Sequence, residues 1–139
     1  MTEKKKLVVI IQCDLVQNRC SGYNCTHAFY SREGMFAEYP EDTHYMTFTC
    51  GGCAGLEVGC KLQNLKARLA RFKENEQEVI IHLSSCMVSD NFHHPSCPHK
   101  KLIQDICERH GFKVVLGSYI SKAASRKREQ GIYKQFTDC

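Results

Sequence analysis

Leu7-Val8-Val9-Ile10-Ile11-Gln12-Cys13 is the stretch on which the fold turns. Its unbroken apolar run, Leu7 to Ile11, leaves no polar face for water, so it suits a strand covered on both sides. Strands of that kind belong to parallel sheets whose crossover helices shield both faces. Three further runs read as strands: Tyr45-Met46-Thr47-Phe48-Thr49, Val79-Ile80-Ile81-His82-Leu83 and Val114-Val115-Leu116. Helical patterns lie between them. Leu62, Leu65, Leu69 and Phe72 fall on one helical face, with Lys66, Arg68, Arg71 and Lys73 largely outside it. Leu102, Ile103 and Ile106 form a second stripe, in a helix that Pro98 opens and Gly111 closes after His110. Phe29, Arg32, Phe36 and Tyr39 suggest a first helix ending near Pro40, with Gly34 interrupting it. Alternating strands and helices predict one α/β domain. Its mainly parallel four-stranded sheet, of Rossmann or flavodoxin-like type, is flanked by helices. The core covers residues 7–120 and a basic tail covers 121–139. No repeat, low-complexity stretch or long linker divides the chain.

The chain has 139 residues, enough apolar side chains to bury a core, and no need of disulfides merely to hold together. Lys4-Lys5-Lys6 precede too short an apolar run for a secretory signal, and none of the chain reads as a membrane span. The expected location is therefore the cytoplasm, where thiols stay reduced. Ten cysteines and seven histidines in that setting point to metal or redox chemistry rather than a disulfide scaffold. The formal charge of +4 is a weak guide to partners, because metal-bound cysteines are thiolates and shift the balance toward zero. Lys122, Arg126, Lys127 and Arg128 cluster in the tail, but no aromatic platform or nucleic-acid motif accompanies them. They read as a solvated basic end, with neither nucleic acid nor membrane as the expected partner.

In a parallel sheet all strand C-termini lie along one edge, and sites form there. Cys13 follows the first strand, Cys50 and Cys53 the second, and Cys86 the third. Three separate strands thus deliver cysteine to one edge. Cys20 and Cys25 after the first strand, and Cys97 with His99 after the third, extend the set. Cys50-Gly51-Gly52-Cys53 is the most specific element. Two sulfurs at this spacing chelate one metal or close one disulfide. Gly51 and Gly52, lacking Cβ atoms, let the backbone curl around a cofactor and turn both sulfurs inward. His93 and His94 are possible outer-shell donors, and His27 lies beside Cys25. His82, inside a strand, reads as a core histidine. His44 and His110 read as surface or terminus residues. Cys107 reads as a packed core thiol, Cys139 as a loose terminal one, and Cys60 is open between site and surface.

These motifs together resemble the CGGC-domain family, small cysteine-rich α/β proteins associated with metal binding. The resemblance runs from about Leu7 to Leu116. It rests on Cys13, Cys20 and Cys25 with Phe29, Gly34 and Phe36, on Cys50-Gly51-Gly52-Cys53-Ala54-Gly55, on Ser85-Cys86, and on Cys97-Pro98-His99. Two positions depart from the family pattern. Ala54 stands where proline is common, and Gly117-Ser118-Tyr119 stands where Gly-Thr-His is usual. Cys60, Cys107 and Cys139 are additional. The resemblance implies an intracellular metal-binding protein and no established reaction, so no catalytic residue is assigned.

Three functions fit these residues. The first is a protein carrying an iron–sulfur cluster, in electron transfer or redox sensing with a redox partner protein. Cysteine thiolates hold such clusters, and Cys13, Cys20, Cys25, Cys50, Cys53, Cys86 and Cys97 exceed the need of one tetrahedral zinc. The second is a zinc protein, for which Cys50, Cys53, Cys86 and Cys97 suffice, with His99 as substitute. The third is a thiol–disulfide oxidoreductase, with Cys50 as exposed nucleophile and Cys53 as resolving thiol.

Overall fold

The computed structural model describes residues 5–14, 16, 20–72, 77–88, 97–118, 126, 129 and 130. His93, His94, Tyr119, Lys122, Lys127, Arg128 and Cys139 lie outside the described residues. Four strands, β1 (Lys6–Gln12), β2 (His44–Thr49), β3 (Glu78–Leu83) and β4 (Lys113–Leu116), contain all four runs expected from sequence. They form one sheet in the order β2-β1-β3-β4. Every pairing is parallel: Leu7 lies opposite His44 and Val79, and Ile81 opposite Val114. The protein is thus an α/β fold, and its strand order is consistent with the flavodoxin-like arrangement.

The connections decide which face each helix covers. The chain steps one way from β1 to β2, then reverses and crosses β1 to reach β3. Right-handed crossovers therefore put α1 (Tyr23–Tyr30) on one face, and α2 (Val58–Arg71) and α4 (Lys100–Arg109) on the other. The packing agrees. Leu7, Val9, Ile11, Val79, Ile81 and Leu83 pack with Val58, Leu62 and Leu65 of α2 and with Ile103 of α4. Val8 and Ile10, one residue out of phase, pack instead with Ala28 and Phe29 of α1 and with Phe36. α4 ends where His110 and Gly111 were expected to stop it. The amide of Phe112 reaches the Cys107 carbonyl (3.2 Å) and that of Gly111 reaches Glu108 (2.9 Å), the paired bonds of a Schellman closure.

Three sequence expectations need correction. The first helix ends at Tyr30 rather than near Pro40. Arg32 adopts a left-handed φ of 52°, which ends the helix, and Gly34–Phe36 then forms a separate 3₁₀ turn. The Arg32 guanidinium holds this corner by donating to the carbonyls of Phe29, Tyr39 (3.2 Å) and Pro40 (2.9 Å). Phe72, placed on the buried stripe of α2, is its exposed C-cap. Leu102 is exposed on α4, where Ile103 and Cys107 take the buried face instead. Two short elements carried no periodic signal: a 3₁₀ turn at Cys53–Gly55 and the single turn α3 (Ser85–Val88).

Candidate metal centre

The carboxyl edge is built by extending the sheet one residue past each strand. The amide of Cys50 donates to the Gln12 carbonyl (3.0 Å), that of Ser84 to Ile11 (2.9 Å) and that of Gly117 to Leu83 (2.8 Å). The alternation of β1 carries on to place Cys13 with Ile11 on the α2/α4 face, and that of β2 places Cys50 with Phe48 there. Cys20, Cys86 and Cys97 pack against the same cluster. Cys97 is tied to α3 through its amide, which donates to the Met87 carbonyl at 2.7 Å. Cys25, from α1, approaches from the opposite face.

The sulfurs sense one another. Charge on Cys13, Cys50 or Cys53 raises the Cys97 pKa, charge on Cys25 or Cys13 raises that of Cys86, and charge on Cys20 raises that of Cys25. These influences run among cysteines that follow β1, β2 and β3, on the carboxyl edge beside the junction of β1 with β3. That is the topological switch point, where a 2-1-3-4 sheet opens its ligand crevice. Burial is the main cause of the upward shifts at Cys25, Cys86 and Cys97, and it takes Cys86 to about 11. Hydrogen bonds oppose it. Ser84 Oγ stands 2.9 Å from Cys86 Sγ, whose sulfur also meets the Cys13 backbone, and the His99 amide donates to Cys97 Sγ at 3.4 Å.

The glycine-spaced pair differs from expectation in one respect. Gly51 and Gly52 have φ of 73° and 131°, so they do supply a curl that other residues rarely adopt. A Cβ on Gly51 would also lie 2.6 Å from the Glu57 Cβ. But the curl turns only Cys50 inward. Cys50 is buried and Cys53 is exposed. The expectation that Cys50 is an exposed nucleophile is therefore overturned, because its amide anchors it against the end of β1.

Several polar residues that the sequence did not mark hold the edge in place. The Thr49 hydroxyl donates to Asp14 Oδ1 (2.9 Å) and accepts the Gly51 amide (3.3 Å), so it links the Cys13 loop to the glycine-spaced pair. Lys61 of α2 donates to the Thr49 carbonyl at 2.8 Å. A usable signal existed: Gln12, Thr49 and Ser85 each directly precede a cysteine at a strand end.

Three helices begin at this edge, each following a strand. Their N-caps, Gly22, Glu57 and His99, make no side-chain capping bond, and no first turn carries an acidic residue. The amino ends of α1, α2 and α4 thus keep their positive dipole character on the side where the sulfurs collect.

Other candidates fall elsewhere. Cys60 is exposed in the first turn of α2. Cys107 is fully buried near the far end of α4 and packs with the core, as expected. His82 is a core histidine: its Nδ1–H donates to the Gly117 carbonyl (2.9 Å) and its Nε2 accepts from the Tyr39 hydroxyl (2.6 Å). His27 lies beside Glu33, at 3.9 Å, on the surface. His99 remains beside the sulfurs, as the N-cap of α4. Among the described residues, no three His, Cys, Asp or Glu side chains already stand close enough to hold one ion.

The CGGC-domain profile matches residues 7–119, which is most of the chain. The chain belongs to the CGGC-domain family. A comparison with curated proteins finds no match. Membership supports reading the cysteine-rich edge of this CGGC domain as metal-binding. No described helix is long and apolar enough to cross a membrane.

Proposed function

We propose that this CGGC domain carries a cysteine-ligated iron–sulfur cluster at its carboxyl edge and works in electron transfer or redox sensing. The observation that carries the reading is that Cys13, Cys50, Cys20, Cys86 and Cys97 pack against one cluster at the carboxyl edge, with Cys53 three residues after Cys50 and Cys25 meeting Ser118 from the α1 side. The donor set fits a soft metal. It is sulfur-rich, while His27, His44, His82 and His110 lie away from it or are committed to other contacts. Burial raises the thiol pKa of Cys25, Cys86 and Cys97, so a cation is needed to hold these as thiolates together, and loading releases protons. The uncapped helix amino ends favour the resulting negative charge. Each cysteine places its sulfur through one χ1 torsion with three staggered wells. Rotamer changes of that kind are the route by which a coordination shell would close around the cluster. When bound, the cluster would supply one-electron redox chemistry; the protein supplies the thiolates, the dipoles and partial exclusion of water. A redox partner protein would exchange the electrons, and the reducing cytoplasm is the compartment in which so many thiols persist.

His99, beside Cys97, favours a second reading, zinc held by three cysteines and one histidine. The oxidoreductase reading loses its assigned nucleophile with the burial of Cys50.

The test is metal and acid-labile sulfide analysis of anaerobically purified protein, with its absorption spectrum. Iron and sulfide in similar amounts with a visible charge-transfer band are expected. Zinc without sulfide moves the assignment to the second reading, and metal-free protein overturns both. Cys50→Ser and Cys53→Ser are each expected to lose most of the metal, because a hydroxyl is a poor substitute for a soft thiolate. Cys60→Ser is expected to keep it. Full occupancy in both of the first two variants would refute the placement of the centre.

A further inference from the structure

Cys25 is the one member of the set that reaches the edge from the α1 side of the sheet, and its surroundings are unlike those of the others. Its Sγ lies 3.2 Å from the Ser118 hydroxyl, just past the end of β4. Ser118 is 1% exposed and is fixed on every side. Its amide donates to Ser85 Oγ (2.9 Å), its carbonyl accepts from the Met35 amide (3.1 Å), and its Oγ accepts from the Ser85 amide (3.1 Å). A hydroxyl has one proton to give. With the Ser85 amide donating into Ser118 Oγ, that proton can point at Cys25 Sγ once the sulfur carries no proton of its own. Burial is the larger influence and raises the Cys25 pKa, and hydrogen bonds from Ser118 and the buried Gln12 side chain oppose it. A hydroxyl held this firmly, with the Gln12 side chain beside it, is placed to donate to a metal-bound Cys25 thiolate once the cation has displaced the thiol proton.

We infer that Ser118 and Gln12 are positioning residues that hold the Cys25 sulfur as a metal-bound thiolate delivered from the opposite face of the sheet. The inference rests on the metal reading above. Hydrogen bonds to a ligating sulfur draw electron density from it, fix its direction and tune the centre, so they alter both affinity and spectrum.

The probe is Co(II) titrated anaerobically into the full-length, metal-free protein, followed by the sulfur-to-cobalt charge-transfer band. The wild type is expected to show the band, and Cys25→Ser to lose one thiolate's share of its intensity. Ser118→Ala is expected to weaken Co(II) binding by about 10- to 100-fold and to shift the band. Ser118→Thr, which keeps the hydroxyl, should restore both. Gln12→Met tests the second donor should Ser118→Ala fold poorly, and it too should shift the band. Wild-type binding with an unchanged band in Cys25→Ser, or in both Ser118→Ala and Gln12→Met, overturns this inference and leaves the metal reading standing. Weaker binding with the wild-type band position makes the role merely structural, and also overturns it. A wild type with no sulfur-to-cobalt band overturns the metal reading itself, and this inference falls with it.

Discussion

The face of the sheet under α2 and α4 is packed with aliphatic side chains, Val9, Ile11, Ile81 and Leu83 against Leu62, Leu65 and Ile103. The face under α1 is packed with rings. Phe29 stacks on Tyr45 at 4.7 Å between centroids, meets Phe36 edge-on at 5.8 Å, and Phe36 lies 4.8 Å from His82. Aliphatic stripes repeat at helical spacing and so suit regular helices. Rings with polar handles pack through specific angles and need partners for their polar atoms. On this face short elements provide them: Tyr45 meets the Thr26 hydroxyl at 2.7 Å, and Tyr39 meets His82. The same contrast runs through the candidate centre. On the aliphatic side Cys13 and Cys50 stand directly after strand ends and Cys86 soon after β3. The sulfur on the ring side is brought over the edge by a hydrogen bond to Ser118.

The largest expected effect strikes the ring face. Phe36 is fully buried, and Phe36→Ala leaves a cavity among Phe29, Tyr39 and His82. A loss of about 3–5 kcal/mol is expected from the urea unfolding curve of the metal-free protein. A loss below about 1 kcal/mol would mean that the ring face is not a second core.

Next comes an alkaline effect on the aliphatic face. Burial, with Glu108 adding to it, pushes the Cys107 thiol up to about 12. A thiol whose folded pKa is raised favours the fold fully below its unfolded value. It loses that contribution as pH climbs toward the folded value. Stability should therefore be flat near neutrality and fall from about pH 9 toward pH 12. At about 1.4 kcal/mol per pKa unit, the fall is on the order of a few kcal/mol. Cys107→Ala should flatten it, as read from thermal unfolding across that range. An unchanged slope would assign the alkaline loss to other groups, such as Tyr39, which burial also raises to about 12.

The contrast between the faces also governs what the sequence could reveal. β1 and β3 were readable because their apolar runs are continuous, and α2 and α4 because their stripes repeat. The expectation that Cys13, Cys50 and Cys86 share one edge followed from strand direction alone. On the ring side the pattern misled. Phe29, Arg32, Phe36 and Tyr39 are spaced like one helix, yet Arg32 turns left-handed and the chain starts again at Gly34. That break is held by the Arg32 guanidinium on the carbonyls of Phe29, Tyr39, Pro40 and Glu41, a tertiary arrangement with no local period. Ser118 carried no local signal for the same reason, and the place of Gln12 and Thr49 directly before a cysteine did not disclose their partners. Their roles depend on partners such as Cys25 and Asp14, which are remote in sequence or across the sheet edge.

A smaller effect sharpens the picture where the aliphatic face meets the centre. Gly55 follows the glycine-spaced pair with φ of 67°, and a Cβ there would stand 2.8 Å from Ile103 Cγ1. Gly55→Ala combines backbone strain with overpacking, and a loss of about 1–3 kcal/mol is expected. The pair should couple: Gly55→Ala with Ile103→Ala should cost less than the sum of the single changes, because the second removes the atom that the first strikes. Strict additivity in a double-mutant cycle would show that α4 does not pack against the loop of the candidate centre.

The smallest effects are expected at Phe72 and Leu102, and they test where the aliphatic face stops. Helical spacing assigns both to buried stripes, yet Phe72 is 68% exposed and Leu102 44%. The reason is geometric. Phe72 caps α2, where the backbone leaves helical values, so its side chain no longer follows the line of Leu62, Leu65 and Leu69. Leu102 is next to Ile103, and neighbouring positions on a helix point about 100° apart, so only one of the two can face the sheet. Ile103 takes that direction because Gly55 and Val58 lie beneath it, and Cys107, four residues on, continues the line. Phe72→Lys and Leu102→Gln should therefore each change stability by about 0.5 kcal/mol or less in urea unfolding. A loss above about 2 kcal/mol at either position would mean that the aliphatic face extends further around its helices than these burials allow.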